Sequence, residues 1–281
     1  MSDKLHQFQK DMEIKGFSER TIDCYLRHVR SYREYLKGPI DGHDHTQIKD
    51  YFYYLLHTKN ASRSSVHQIY GALKYFYTVT LGFEWDMEKI PRVKRIVKLP
   101  DILNHDEIRK LLAVTKNIKH KAILMVTYSA GLRVSEAACL KIHDIDSQRM
   151  TIKVTGKGNK DRYTLLARST LQFLRGYWQM YEPSDWLFEG QNPAQHLNAS
   201  TIQRVFHAAR EKARIQKHVT VHSLRHSFAT HLLEQGTDVH IVQRLLGHAS
   251  IKTTTIYLHL KKESLAKVTS PLDLLLDDIE A

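Results

Sequence analysis

MTIKVTGKGNKDRYTLLA, residues 150–167, breaks the rhythm of the chain around it. Apolar and polar residues alternate in MTIKVTG and again in DRYTLLA, the two-residue period of a strand. GKGNK between them supplies the turn, so a β-hairpin is predicted. Elsewhere in this half of the chain the apolar period is 3.6. Helices are expected at about 104–115 and 119–130 before the hairpin, and at about 169–181, 199–214, 222–235, 238–246 and 252–260 after it. Asn104 with Glu107 three residues later resembles a capping box, and Gly131 permits the left-handed turn that ends a buried helix. The reading is a small β-sheet inside a mainly helical domain, with that domain spanning 102–281.

Working toward the N-terminus, residues 1–83 read as a compact domain of four amphipathic helices. Leu5, Phe8 and Met12 mark the first. Ile22, Tyr25, Leu26, Val29, Tyr32 and Leu36 mark the second, which Ser18 can cap and Gly38-Pro39 stops. Ile48, Tyr51, Phe52, Leu55 and Leu56 mark the third. Val66, Ile69, Tyr70, Leu73, Phe76 and Tyr77 mark the fourth, with Ser62 or Ser64 as its cap. Residues 84–101 then lose the helical period. Two prolines bracket RVKRIVKL, and Arg92, Lys94, Arg95 and Lys98 give this segment the character of an extended basic linker suited to a phosphate backbone. At the other end, residues 270–281 read as a tail helix. Ser270 and Pro271 suit its start, and Leu272, Leu275, Leu276 and Ile279 form one apolar stripe.

The bulk composition narrows the class of partner. The 281 residues carry a formal net charge of +12, and a positive field of that size favours a polyanion, with nucleic acid first. The N-terminal MSDKLHQFQK has no apolar core of the kind a secretory signal needs, and no run is long enough for a membrane span. Cys24 and Cys139 make no disulfide framework. A cytoplasmic protein with no membrane partner is expected.

Four short stretches carry chemistry. In AGLRVSEAACL, Arg133 follows Gly131 closely, and its planar fork of donors suits two phosphate oxygens; it also suits its i+3 neighbour Glu136. In the hairpin, Lys157 stands between Gly156 and Gly158, where a cation beside a phosphate can protonate a leaving oxygen. This is not a phosphate loop of the G-x-x-x-x-G-K-[ST] kind. In TVHSLRHSFATHLLEQG, His222 and Arg225 project from neighbouring positions of one helix and can grip one anion. His222 and His226 have the i, i+4 spacing of a metal pair, but Ser223 stands where the zinc-protease motif needs glutamate, so no metal is expected. In LGHASIKTTTIYLHL, Gly247 allows a sharp turn that presents His248, and Tyr257 follows in a row of threonines. A tyrosine there is either ordinary core or a nucleophile.

Taken in order, Arg133, Lys157, His222-x-x-Arg225, Gly247-His248 and Tyr257 resemble the tyrosine recombinase family, also called the phage integrase family. GLRVSE, the T-G-K-G-x-K hairpin, HSLRHSFATHLL, LLGHAS and T-T-x-I-Y all match, and the resemblance covers essentially the whole chain. The interval between Lys157 and His222 is too short for the extra segment of integron integrases. The chain therefore looks most like compact Xer-type members or mobile-element integrases. The resemblance implies a C-shaped two-domain DNA clamp, with residues 1–83 as a SAM-like core-binding domain. It implies a site-specific recombinase that cuts and rejoins DNA through a 3′-phosphotyrosine at Tyr257, assembled as a homotetramer on two double-stranded sites. Arg133, Arg225 and His248 would serve the phosphate, Lys157 would protonate the leaving 5′-oxygen, His222 would assist proton transfer from the nucleophile, Glu136 would orient the arginines, and no cofactor is implied. Other readings stay open at this level: a type IB topoisomerase, which rejoins the same strand, a non-catalytic DNA-binding module, or a metal-dependent nuclease or transposase.

Overall fold

A computed structural model describes residues 2–40, 42, 44–94, 99–156 and 161–260. Lys157, Arg95, Lys98 and the tail segment 270–281 lie outside the described residues. The chain divides into two compact units, Met1–Lys98 and Leu99–Ala281.

The first unit is built from α1 (Ser2–Ile14), α2 (Glu19–Leu36), α3 (His45–His57) and α4 (Arg63–Tyr75). Each starts where the sequence offers a polar cap. Ser18 accepts from the Thr21 N–H, Asp44 from those of Thr46 and Gln47, and Ser62 from that of Ser65. These are the N–H groups an α-helix leaves without a partner. The apolar stripes meet in one core that includes Phe8, Met12, Leu26, Val29, Tyr32, Ile48, Tyr51, Val66, Leu73 and Phe76. Fully burying a side chain such as Leu73 contributes about 1.5–3 kcal/mol.

Two details differ from the sequence reading. Helix α2 ends on Lys37, which itself takes the left-handed conformation at φ 52°, one residue before Gly38. The basic segment also begins later than residue 84. Trp85 and Ile90 are buried in the same core, and Trp85 Nε1 donates to Tyr70 Oη at 2.9 Å. Large apolar residues flanking a basic run were drawn into the nearest core. Beyond them Arg92 and Lys94 are exposed, with the Arg92 guanidinium 6.0 Å from the centre of the Tyr70 ring.

The second unit is mainly helical around one small antiparallel sheet. It contains α5 (His105–Val114), α6 (Ile118–Ser129) and α7 (Val134–Ala138) before the sheet. After the sheet come α8 (Arg168–Tyr181), α9 (Ala199–Lys212), α10 (Val221–Glu234), α11 (Val239–Leu246) and α12 (Ile251–Thr254). Asn104 and Glu107 form the expected capping box on α5. The hairpin is present as β2 (Thr151–Thr155) and β3 (Asp161–Leu165), and a two-residue strand, β1 (Ile145–Asp146), adds a third strand beside β2 that alternation over so short a span cannot reveal. Register pairs Ile152 with Thr164 and Val154 with Arg162. Ile152, Val154 and Thr164 are buried, so the same pleat turns Arg162 inward.

Helix α10 crosses the interior. Its buried residues include Val221, Leu224, Arg225, Phe228, Ala229 and Leu233. They occupy most of its circumference, as in a helix enclosed on all sides. The single helix predicted over 252–260 is instead the four-residue α12 followed by a 3₁₀ turn, Thr255–Leu260. The run Thr253-Thr254-Thr255-Ile256 is β-branched throughout, and the Thr255 hydroxyl donates to the Lys252 carbonyl. Both features favour short, tight helix over a long one. Tyr257 rides on that 3₁₀ turn and packs with Phe228, Ala229, Leu233, Val242 and Leu246.

Candidate active site

The site is built on two glycine turns and one carboxylate. Gly131 ends the turn after α6 with φ 61°, and a Cβ there would lie 2.3 Å from Phe228 Cδ1. Only glycine lets α10 approach this closely. Gly247 ends α11 with φ 63°, and a Cβ there would lie 2.6 Å from Arg162 Cδ. Arg225 on α10 joins the two turns. Its Nη1 donates to Gly131 O at 2.7 Å and its Nη2 to Leu246 O at 2.6 Å. Its side chain is 1% exposed.

Glu136 gathers the arginines. Its carboxylate accepts from Arg133 Nη1 at 2.6 Å and from Arg162 Nη1 and Nη2 at 2.8 Å each. Arg225 Nη1 stands 3.6 Å away. The Arg133 backbone N–H also donates to it at 2.7 Å, because α7 starts at Val134 with Arg133 as its cap residue and Glu136 in its first turn. Burial opposes ionisation of this acid. Hydrogen bonds and charge from Arg162, with those of Arg133, overcome it and hold the carboxyl at about 2. Three guanidinium groups thus share one carboxylate, and the excess positive charge is fixed in place. Arg133 is the most open of them, with 37% of its side chain exposed. Burial, then the Arg133 charge, pushes Arg225 down to about 10, so it stays cationic at neutral pH.

Around this cluster lie three histidines and the tyrosine. His222 and His226 stand one turn apart on α10, their rings 4.5 Å apart. His248 Nδ1 is 2.9 Å from Thr254 Oγ1, which fixes the imidazole across the Gly247 turn. Its ring stacks parallel to that of Tyr257 at 6.3 Å. Burial and the neighbouring Arg225 and Arg133 charges lower the pKa of His222 and take His248 down to about 4. Tyr257 is 2% exposed. Burial raises its phenol, while Arg225 and Arg133 pull in the opposite direction. Its Oη lies 2.9 Å from His226 Nδ1.

The structure therefore brings together Arg133, Glu136, His222, Arg225, His248 and Tyr257. Arg92 and Lys94 belong to the first unit, and Lys157 lies outside the described residues, as do Arg95 and Lys98. Two residues of the cluster escaped the sequence reading. Arg162 left a signal, since a cation at an inward strand position needs a buried partner. His226 was weighed only as a metal partner of His222, whereas the structure places it on the phenol. Among the described residues no group of three or more His, Cys, Asp or Glu could hold a metal ion. No helix among them is long and apolar enough to cross a membrane.

Such a cluster can bind a phosphodiester and stabilise added negative charge upon it. Residues 101–264 match the phage integrase family, and residues 5–87 match the phage integrase N-terminal SAM-like domain. The y4qK protein of Sinorhizobium fredii, described as an integrase/recombinase, is 40% identical over 98% of this chain and 90% of its own length. Tyrosine recombinase XerA of Pyrococcus horikoshii is 34% identical over 91% of this chain and 88% of its own. The fold is also that of a lambda integrase tetramer bound to a Holliday junction, with TM-score 0.78 and 17% identity over 95% of this chain and 80% of the other.

Proposed function

The chain belongs to the phage integrase family and is a site-specific tyrosine recombinase, and on that premise we propose how its own residues cut and rejoin DNA. Tyr257 Oη attacks the scissile phosphorus. The Tyr257–phosphorus bond forms, the bond to the 5′-oxygen breaks, and a 3′-phosphotyrosine results. A phosphodiester resists attack because its charge repels nucleophiles and grows further in the transition state. Arg133 and Arg225 meet that charge at the non-bridging oxygens, and His248 donates to the same phosphate. Losing one such preorganised donor costs about 2.7–4 kcal/mol by analogy with oxyanion holes. Lys157 protonates the leaving 5′-oxygen, and His222 completes the polar wall beside Arg225. Glu136 holds the arginines at their stations.

The observation that carries this reading is the shared field. Arg133 and Arg225 are tied to one carboxylate, and both act on the Tyr257 phenol. The bond energy stays in the phosphotyrosine, so the 5′-hydroxyl of a second duplex can attack it with no external energy source. That exchange needs several protomers around two double-stranded sites. The lambda integrase tetramer on a Holliday junction supports a homotetrameric synapse for this chain. A reducing cytoplasm suits two unpaired cysteines, Cys24 and Cys139.

The test begins by sequencing DNA that becomes covalently attached to the protein, which yields the target site. A nicked duplex of that sequence should trap the wild-type adduct on a denaturing gel. Tyr257→Phe should bind the duplex with unchanged affinity and form no adduct. Adduct from the phenylalanine variant would falsify the nucleophile assignment.

A further inference from the structure

We propose that His226 takes the phenolic proton of Tyr257 during cleavage and returns it during religation, an inference that rests on reading Tyr257 as the nucleophile. The first argument is geometric. His226 Nδ1 and Tyr257 Oη are 2.9 Å apart, and their ring centres 5.5 Å apart. His222, one turn earlier, touches the ring of His226 edge-on at 4.5 Å. His226 is thus an imidazole within hydrogen-bonding distance of the nucleophile, with the His222 ring against its own.

The second argument concerns protonation. A phenol can donate to Nδ1 only if that nitrogen is bare, with the ring proton on Nε2. The groups facing His226 are His222 and Arg225 on its own helix, Tyr257 from the 3₁₀ turn and His248 from the loop after α11. Burial, with the His222 and Arg225 charges, holds the imidazole down to about 4. The ring is therefore neutral at neutral pH and has one bare nitrogen, and the proposal assigns that nitrogen to Nδ1, facing the phenol. An imidazole held so low is a weak base for a phenol, and the arriving phosphodiester corrects this. Its negative charge beside the pair favours imidazolium, while Arg133 and Arg225 favour the developing phenolate.

Atoms balance without a further reagent. As the Tyr257 Oη–phosphorus bond forms, the phenolic proton passes to His226 Nδ1. The bond to the 5′-oxygen breaks, and that oxygen takes its proton from Lys157. In religation the incoming 5′-hydroxyl gives its proton to Lys157, and His226 returns its own to Tyr257 Oη.

His226→Asn separates this role from simple positioning. The asparagine carboxamide can place an oxygen near the Nδ1 position, so the phenol keeps a hydrogen-bond acceptor but loses a proton acceptor. The probe is the nicked duplex with a 5′-bridging phosphorothiolate, whose sulfur leaves without a general acid. Lys157 then drops out of the rate. The variant should bind this duplex with wild-type affinity and melt as the wild type does. It should form adduct about 100-fold more slowly. Its rate should also rise about tenfold per pH unit between pH 7 and 9, as expected when phenolate must form unaided. The wild-type rate should be flat across that window. Wild-type rate or a flat profile in the asparagine variant overturns the proposal. Should that variant fail to fold, the native enzyme's profile decides alone: flat supports the proposal, and a tenfold rise per unit overturns it. Failure of the nucleophile assignment itself would show separately, as adduct from Tyr257→Phe.

Discussion

Glu136 is one carboxylate among three guanidinium groups, and its removal tests whether the cluster is one object. Glu136→Gln preserves shape but turns an amide N–H₂ toward arginine donors and leaves one acceptor oxygen where two stood. Breaking a buried ion pair from one side costs about 3–5 kcal/mol. The melting midpoint of the second unit should fall by roughly 10 °C, and adduct formation should fall at least tenfold. The pH dependence has a definite sign. Because folding depresses this acid to about 2, its contribution is complete above its unfolded value and disappears as pH falls through the folded one. The gap between wild type and variant should therefore close between about pH 4.5 and 2. Equal melting at pH 7 would show that the arginines hold themselves. The Arg133–Glu136 contact was legible in the sequence because i and i+3 meet on one turn. The Arg162 and His226 contacts were not, because they cross 26 and 31 positions of chain, and only the packed fold closes such distances.

At the scale of elements, glycine positions decide how closely the helices come together. Gly131→Ala combines a left-handed backbone with a Cβ 2.3 Å from Phe228. Strain and overpacking together predict about 2–4 kcal/mol of destabilisation. Phe228 lies one turn after Arg225, so any shift of α10 reaches Arg225, and under the proposed mechanism adduct formation should fall as well. Gly176→Ala on α8 is the matched control. Nothing lies within 4 Å of its added Cβ, and the change should be neutral or stabilising by about 0.5–1 kcal/mol. Parallel thermal melts of the two variants check the contrast, and equal effects would sink it. The apolar period located the helices because each buries a regular stripe. It missed β1, whose two residues are too few to show a period, and it overextended α12, where β-branched threonines tighten the turn. A π-helical turn at Phe76–Thr80 likewise continues α4 without any change of apolar pattern.

Across the whole molecule the governing number is the net charge of +12. If both units and the basic segment neutralise about eight phosphates, log K for DNA should fall against log[salt] with a slope near −7. Replacing Arg92, Lys94, Arg95 and Lys98 by alanine should flatten that slope by up to about 3.6 and leave sequence preference intact. Titrations of duplex DNA at several salt concentrations measure both, and an unchanged slope in the variant would remove the basic segment from the interface. Charge was fully legible from composition because it is additive, whereas the burial of Trp85 and Ile90 depended on a neighbouring core. The two hydrogen bonds from Arg225 to the carbonyls of Gly131 and Leu246 have a consequence for quality control. Those carbonyls stand on opposite sides of the hairpin in the sequence, so Arg225 reaches its station only when both flanks have folded onto α10. A nascent or heat-damaged subunit in which either flank is unfolded would hold no assembled set of the proposed site residues.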